Sequence, residues 1–175
     1  MKQLGLGLLM YAQDYDERMA YYYRYYPPGS TVLYWWGDLL QPYVKNYQIL
    51  ECPSGSWGYT YARPSGLPDP LVCSYAMPNM TIDINGVAIP GISGNSMAIL
   101  VEPANTILLV DSTTTEIYTG GTSSFTLLDC TDLGTRGYTR VAKRHNDGFN
   151  SVFCDGHAKW LKASMPGMWT TIGGD

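Results

Sequence analysis

Lys2-Gln3-Leu4-Gly5-Leu6-Gly7-Leu8-Leu9-Met10-Tyr11-Ala12-Gln13-Asp14-Tyr15-Asp16-Glu17 opens the chain with apolar residues at helical spacing. Leu4, Leu8, Tyr11, Ala12, Tyr15 and Met19 fall on one stripe at intervals of three and four, with Gln13, Asp14 and Glu17 facing away. A stripe of this kind belongs to an amphipathic helix that buries one face against other structure. The pattern predicts a helix over residues 1–19. Met1 and Lys2 enter it without a capping residue, so it reads as the second half of a longer helix.

Strand signals dominate further along. Asn150-Ser151-Val152-Phe153-Cys154 and His157-Ala158-Lys159-Trp160-Leu161 flank Asp155-Gly156, and Thr81-Ile82-Asp83-Ile84 and Val87-Ala88-Ile89 flank Asn85-Gly86. Asp-Gly and Asn-Gly tolerate the positive φ that a two-residue type I′ turn demands, so both segments predict hairpins. Thr106 to Asp111 reads as a buried central strand. A helix followed by antiparallel strands defines an α+β fold.

Between them the chain is less regular. Tyr21 to Trp36 carries eight aromatic residues broken by Pro27, Pro28 and Gly29 and predicts an ordered loop, with a short helix at 37–45. Seven Gly and Pro residues between Cys52 and Cys73 predict an irregular loop held at its ends. The expected organisation is one domain, 1–175, made of a helix (1–19), an aromatic and stapled loop region (20–80) and an antiparallel sheet (81–163).

The 175 residues suffice for one core, and a 45% hydrophobic fraction argues against disorder. A net charge of −4 and scattered basic residues argue against nucleic acid as a partner. The apolar run Leu4–Met10 is too short to span a bilayer, which takes about 20 apolar residues, and it is not an intact signal peptide. The cysteines Cys52, Cys73, Cys130 and Cys154 lack zinc-finger spacing. Pairing 52 with 73 and 130 with 154 closes two loops of about 20 residues each; four buried thiols in a reducing compartment are the alternative.

His145 is followed, after nine residues, by Asp155-Gly156. With the opening helix and the segments Pro42-Tyr43-Val44-Lys45-Asn46, Cys52-Pro53-Ser54, Ser74-Tyr75-Ala76-Met77 and Leu108-Leu109-Val110-Asp111-Ser112, this resembles a bacterial family of prepilin-type, type II secretion pseudopilin-like proteins with a His-(nine residues)-Asp-Gly motif. The resemblance implies a pilin-like fold, a long N-terminal helix on an antiparallel sheet. It further implies an exported, cell-surface or extracellular subunit of a pilus- or pseudopilus-like filament. Its partners would be copies of itself or related subunits, docked through a helix face at Leu4, Leu8, Tyr11 and Tyr15. The cleavage site and apolar half-helix of that family are absent ahead of Lys2, so membrane contact is expected only through such a segment. The resemblance also makes calcium a candidate cofactor, with Asp129, Asp132 and Asp147 near Gly134, Gly137 and Gly148 as candidate ligands.

Other readings stay open. His145 has three readings: a structural residue bonded to a carboxylate such as Asp111 or Asp155, a metal ligand, or a catalytic group. Two histidines and no GxSxG, HExxH or phosphate loop give little to an enzyme, and none is expected. The aromatic segment suits a subunit contact, a cover for the helix or a sugar-stacking platform, so an extracellular carbohydrate- or ligand-binding module is the second reading.

Overall fold

The computed structural model describes residues 1–55, 57–59, 63–79, 81–84, 87–113, 116–117 and 141–172. Its elements are helices α1 (Lys2–Asp14), α2 (Trp36–Leu39) and α3 (Gln41–Val44), and strands β1 (Tyr23–Tyr25), β2 (Leu33–Trp35), β3 (Trp57–Tyr59), β4 (Leu71–Cys73), β5 (Tyr75–Pro78), β6 (Thr81–Ile84), β7 (Val87–Pro90), β8 (Ile107–Asp111), β9 (Glu116–Ile117), β10 (Phe149–Phe153) and β11 (Ala158–Leu161). The result is a mixed α and β architecture with mostly antiparallel sheets and few helices.

The central sheet runs β11-β10-β8-β5-β9, antiparallel except for the edge pair β5 and β9, which is parallel. Strand β8 lies in its middle and is buried along its whole length. An apolar run there is what a strand covered on both faces requires. Alternation along β10 sends Val152 toward the cluster that holds Leu4, Leu8 and Leu109, and Phe149 and Phe153 toward a second cluster with Val110 and Trp169. Helix α1 therefore closes one face, and the C-terminal turn around Trp169 closes the other.

Leu4, Leu8 and Ala12 are wholly buried and Tyr11 nearly so, as the stripe predicts. The helix stops at Asp14, however, not at residue 19. Asp16 and Glu17 take left-handed φ values of 52° and 56°, and the Glu17 amide donates back to the Ala12 carbonyl at 2.9 Å, closing the helix end. Tyr15 consequently lies outside the stripe, 54% exposed, stacked on Tyr11 with ring centroids 4.2 Å apart.

Gly5 sets the distance between helix and sheet. A Cβ there would come within 2.3 Å of Val152 Cγ1. Alanine normally strengthens a helix by about 1 kcal/mol over glycine, whereas overpacking costs about 1–3 kcal/mol. Gly5→Ala should therefore destabilise by up to about 2 kcal/mol net, and Val152→Ala in the same chain should recover part of the loss. Denaturant unfolding checks both; a stabilised Gly5→Ala variant would refute the contact.

The region 20–80 is more regular than composition predicts. Tyr23 pairs with Trp35 and Tyr25 with Leu33 in a β1–β2 hairpin. Pro27 to Ser30 forms its tip, with Gly29 at φ 83° and the Ser30 amide on the Pro27 carbonyl at 3.0 Å, the proline-then-glycine arrangement of a type II turn. The expected 52–73 loop likewise contains a ladder, Trp57 to Cys73 and Tyr59 to Leu71. The aromatic segment divides: Trp35 and Trp36 are buried, while Tyr21, Tyr25 and Tyr26 are exposed.

The 81–90 hairpin forms with Ile84 opposite Val87, so residues 85 and 86 lie between the paired positions. The Asp-Gly hairpin forms too, but with a different turn. Val152 pairs with Ala158, the Gly156 amide donates to the Phe153 carbonyl at 2.9 Å, and Gly156 takes the left-handed φ (90°). This is the longer connection in which a turn is followed by a left-handed glycine, and it replaces the expected two-residue type I′ turn.

Candidate functional site

Two turns and the end of a buried strand bring Cys52, Asp111 and His145 together. Cys52 begins the tight turn 52–55, in which the Gly55 amide donates to the Cys52 carbonyl at 3.0 Å. Its own amide donates to Ser74 Oγ at 2.7 Å, and Ser74 Oγ donates to the Gly55 carbonyl at 2.7 Å. Asp111 ends the buried strand β8. His145 and Gly148 exchange backbone hydrogen bonds of 3.1 Å around a turn in which Asn146 and Asp147 adopt positive φ. The Trp160 indole donates to the His145 carbonyl at 2.7 Å, fixing that turn to β11.

Arg144 joins these segments. Its guanidinium donates to the carbonyls of Gly55 and Ser112 and, at 3.3 Å, to that of Ser74. One planar fork thus ties the Cys52 turn, the β4–β5 junction and the end of β8 to the residue beside His145.

At the centre, His145 Nε2 lies 3.5 Å from Asp111 Oδ2 and 3.6 Å from Cys52 Sγ. Asp111 is completely buried, and its Oδ2 accepts from the Asn150 amide at 2.7 Å and from Asn150 Nδ2 at 3.0 Å. Its Oδ1 has no hydrogen-bond partner among the described residues. The three side chains open into a cleft of about 330 Å³ whose walls include Tyr75, Asn150 and Trp160. Burial first, then the neighbouring Cys52 and Asp111, raise the Tyr75 phenol well above its ordinary pKa, so it stays protonated.

The structure places His145 beside Asp111, one of the two carboxylates expected for it. Asp155 turns instead to His157, accepting from its amide at 3.0 Å and meeting its Nδ1 at 2.6 Å. Gly156 supplies the turn under α1, where an added Cβ would touch Leu9 Cδ1 at 3.0 Å.

Two sets of expected residues are rearranged. Cys52 and Cys73 are separate buried thiols, not a disulfide. The β3–β4 ladder holds Cys73, whose thiol donates to the Tyr75 carbonyl at 3.2 Å, while the Cys52 sulfur faces His145. Burial pushes the Cys73 thiol up to about 12. Cys154 is also a buried free thiol, and its expected partner Cys130 lies outside the described residues. Of the expected assembly face, Leu4, Leu8 and Tyr11 are buried in the chain's own core and Tyr15 is exposed; the exposed apolar residues of α1 are Leu6 and Met10. Of the calcium candidates, Asp129 and Asp132 lie outside the described residues, and Asp147 is exposed in the turn after His145.

Sequence reasoning named His145 and Asp111 but passed over Cys52 and Arg144 as site residues. Cys52 stood only at the end of a predicted loop, and Arg144 carried no such signal. Comparisons with protein families, with curated proteins and with solved structures find no match for this chain.

Proposed function

We propose that this chain is a pilin-like subunit of an exported, cell-surface filament of the pilus or pseudopilus type, working by assembly and surface presentation rather than catalysis. The observation that carries the reading is the two-sided character of α1. Its inner stripe covers an antiparallel sheet, yet Leu6 and Met10 on the outer side are 47% and 50% exposed. A helix apolar on both sides is a helix with a second packing partner.

Beside this outer face, Gln3, Leu6, Gly7, Met10, Tyr43 and Val44 line a groove of about 280 Å³. The occupant that fits is the corresponding helix of a neighbouring subunit, since α1 has only Lys2 and Asp14 as charged residues. Burying a glutamate in such a contact costs more than about 1.4 kcal/mol, a factor of 10 in association. The double variant Leu6→Glu, Met10→Glu should therefore lose filaments in immunolabelled micrographs of the producing cells while keeping the parent melting temperature. Filaments that form unchanged in the variant, or parent cells in which the antibody labels none, would defeat the reading.

A further inference from the structure

We propose that Cys52 Sγ, Asp111 Oδ and His145 Nε2 hold one zinc-class divalent metal ion, with a fourth coordination position open to the cleft. Assembly and metal binding are separate properties here, since the groove along α1 and this cluster share no residue.

The spacing favours an ion over a hydrogen-bonded pair. At 3.5 Å, His145 Nε2 and Asp111 Oδ2 are farther apart than the usual 2.7–3.2 Å of an N–H···O bond. With zinc–sulfur bonds of about 2.3 Å and zinc–nitrogen or zinc–oxygen bonds of about 2.0–2.2 Å, tetrahedral ligands stand about 3.3–3.6 Å from one another. The His–Asp and His–Cys separations, 3.5 and 3.6 Å, match that range, and all three ligand atoms lie within 4.8 Å of each other.

A second observation is the carboxylate. Asp111 is fully buried, and Asn150 orients its Oδ2 while Oδ1 has no partner among the described residues. Burying an unsatisfied carboxylate oxygen is costly, and buried charges are normally paired or coordinate a metal. The donor set then selects the ion: thiolate and imidazole suit zinc and its neighbours, whereas calcium and magnesium take oxygen ligands. Three protein ligands around an open position is the arrangement that leaves room for water or a small anion.

The test uses the full chain, kept reduced with a phosphine and freed of metal with a chelator. Cobalt(II) should bind one equivalent and give a thiolate-to-cobalt charge-transfer band that one equivalent of zinc abolishes and excess calcium leaves in place. Loss of an outer-shell partner typically weakens a site by about 10–100-fold, so removing a direct ligand by Cys52→Ser or His145→Gln should weaken zinc binding at least about 100-fold. Cys154→Ala should leave the band intact. The melting temperature of each metal-free variant shows whether it folds; His145→Gln, at a partly exposed position, keeps the test decisive if Cys52→Ser does not. A folded parent without the band, a band that survives in Cys52→Ser, or unchanged zinc affinity in folded His145→Gln would overturn the assignment.

Discussion

Asp38→Ala is expected to destabilise the chain by about 3–5 kcal/mol, as follows when one partner of a buried ion pair is removed. Asp38 accepts from the Trp35 amide at 2.9 Å, from the Tyr47 hydroxyl at 2.9 Å and from the Arg63 guanidinium. Both side chains of the ion pair are 1% exposed. Burial and then the Asp38 carboxylate raise the Tyr47 phenol above its ordinary value, so it remains a donor. Arg63 already has Nε and Nη1 without partners among the described residues, so removing Asp38 leaves a buried cation without its counter-charge. Denaturant unfolding measures the loss. Asp38→Ala combined with Arg63→Met should recover most of it, because the stranded charge is the main cost; a single-variant loss below about 1 kcal/mol would show that Asp38 is not the hub described.

Arg144→Ala should destabilise by about 3 kcal/mol, since hydrogen bonds from a charged donor contribute about 1.5–3 kcal/mol each and three carbonyls lose theirs. Partial exposure of Arg144 lets water replace some of that loss, which brings the figure below the sum of three such bonds. Lysine should restore less than half, because an ammonium cannot reach Gly55, Ser74 and Ser112 with the fixed geometry of a guanidinium. Unfolding curves for the three proteins decide this, and full recovery with lysine would reduce Arg144 to a point charge.

Local patterns were legible wherever a period or a turn residue is sufficient. The stripe Leu4, Leu8, Ala12 announces its buried face because residues four apart share one side of a helix. Ile107-Leu108-Leu109-Val110 reads as a buried strand because a short, continuous, β-branched-rich apolar run suits a strand covered on both faces. The Tyr23–Tyr25 and Trp57–Tyr59 strands were hidden by the Pro and Gly around them. What makes them strands is pairing across 12 and 16 residues, Tyr23 with Trp35 and Trp57 with Cys73, which composition does not express.

The candidate site was half legible. His145 stood out by rarity, and Asp111 by ending an apolar strand. Cys52 looked like one end of a staple to Cys73, since chain distance favours that pairing, yet the Cys52 sulfur faces His145 and the Cys73 thiol donates to the Tyr75 carbonyl.

By itself, then, the amino-acid order determined an apolar helical stripe, a central apolar strand and two hairpins, because each shows as a pattern within about a dozen residues. Only the tertiary structure decided that Cys52, Asp111 and His145 meet, that Arg144 ties the Cys52 turn to the ends of β4 and β8, and that α1 keeps Leu6 and Met10 outward. Those arrangements join residues 32 to 93 positions apart. Their geometry comes from which faces the packed sheet leaves free, and no local pattern carries that information.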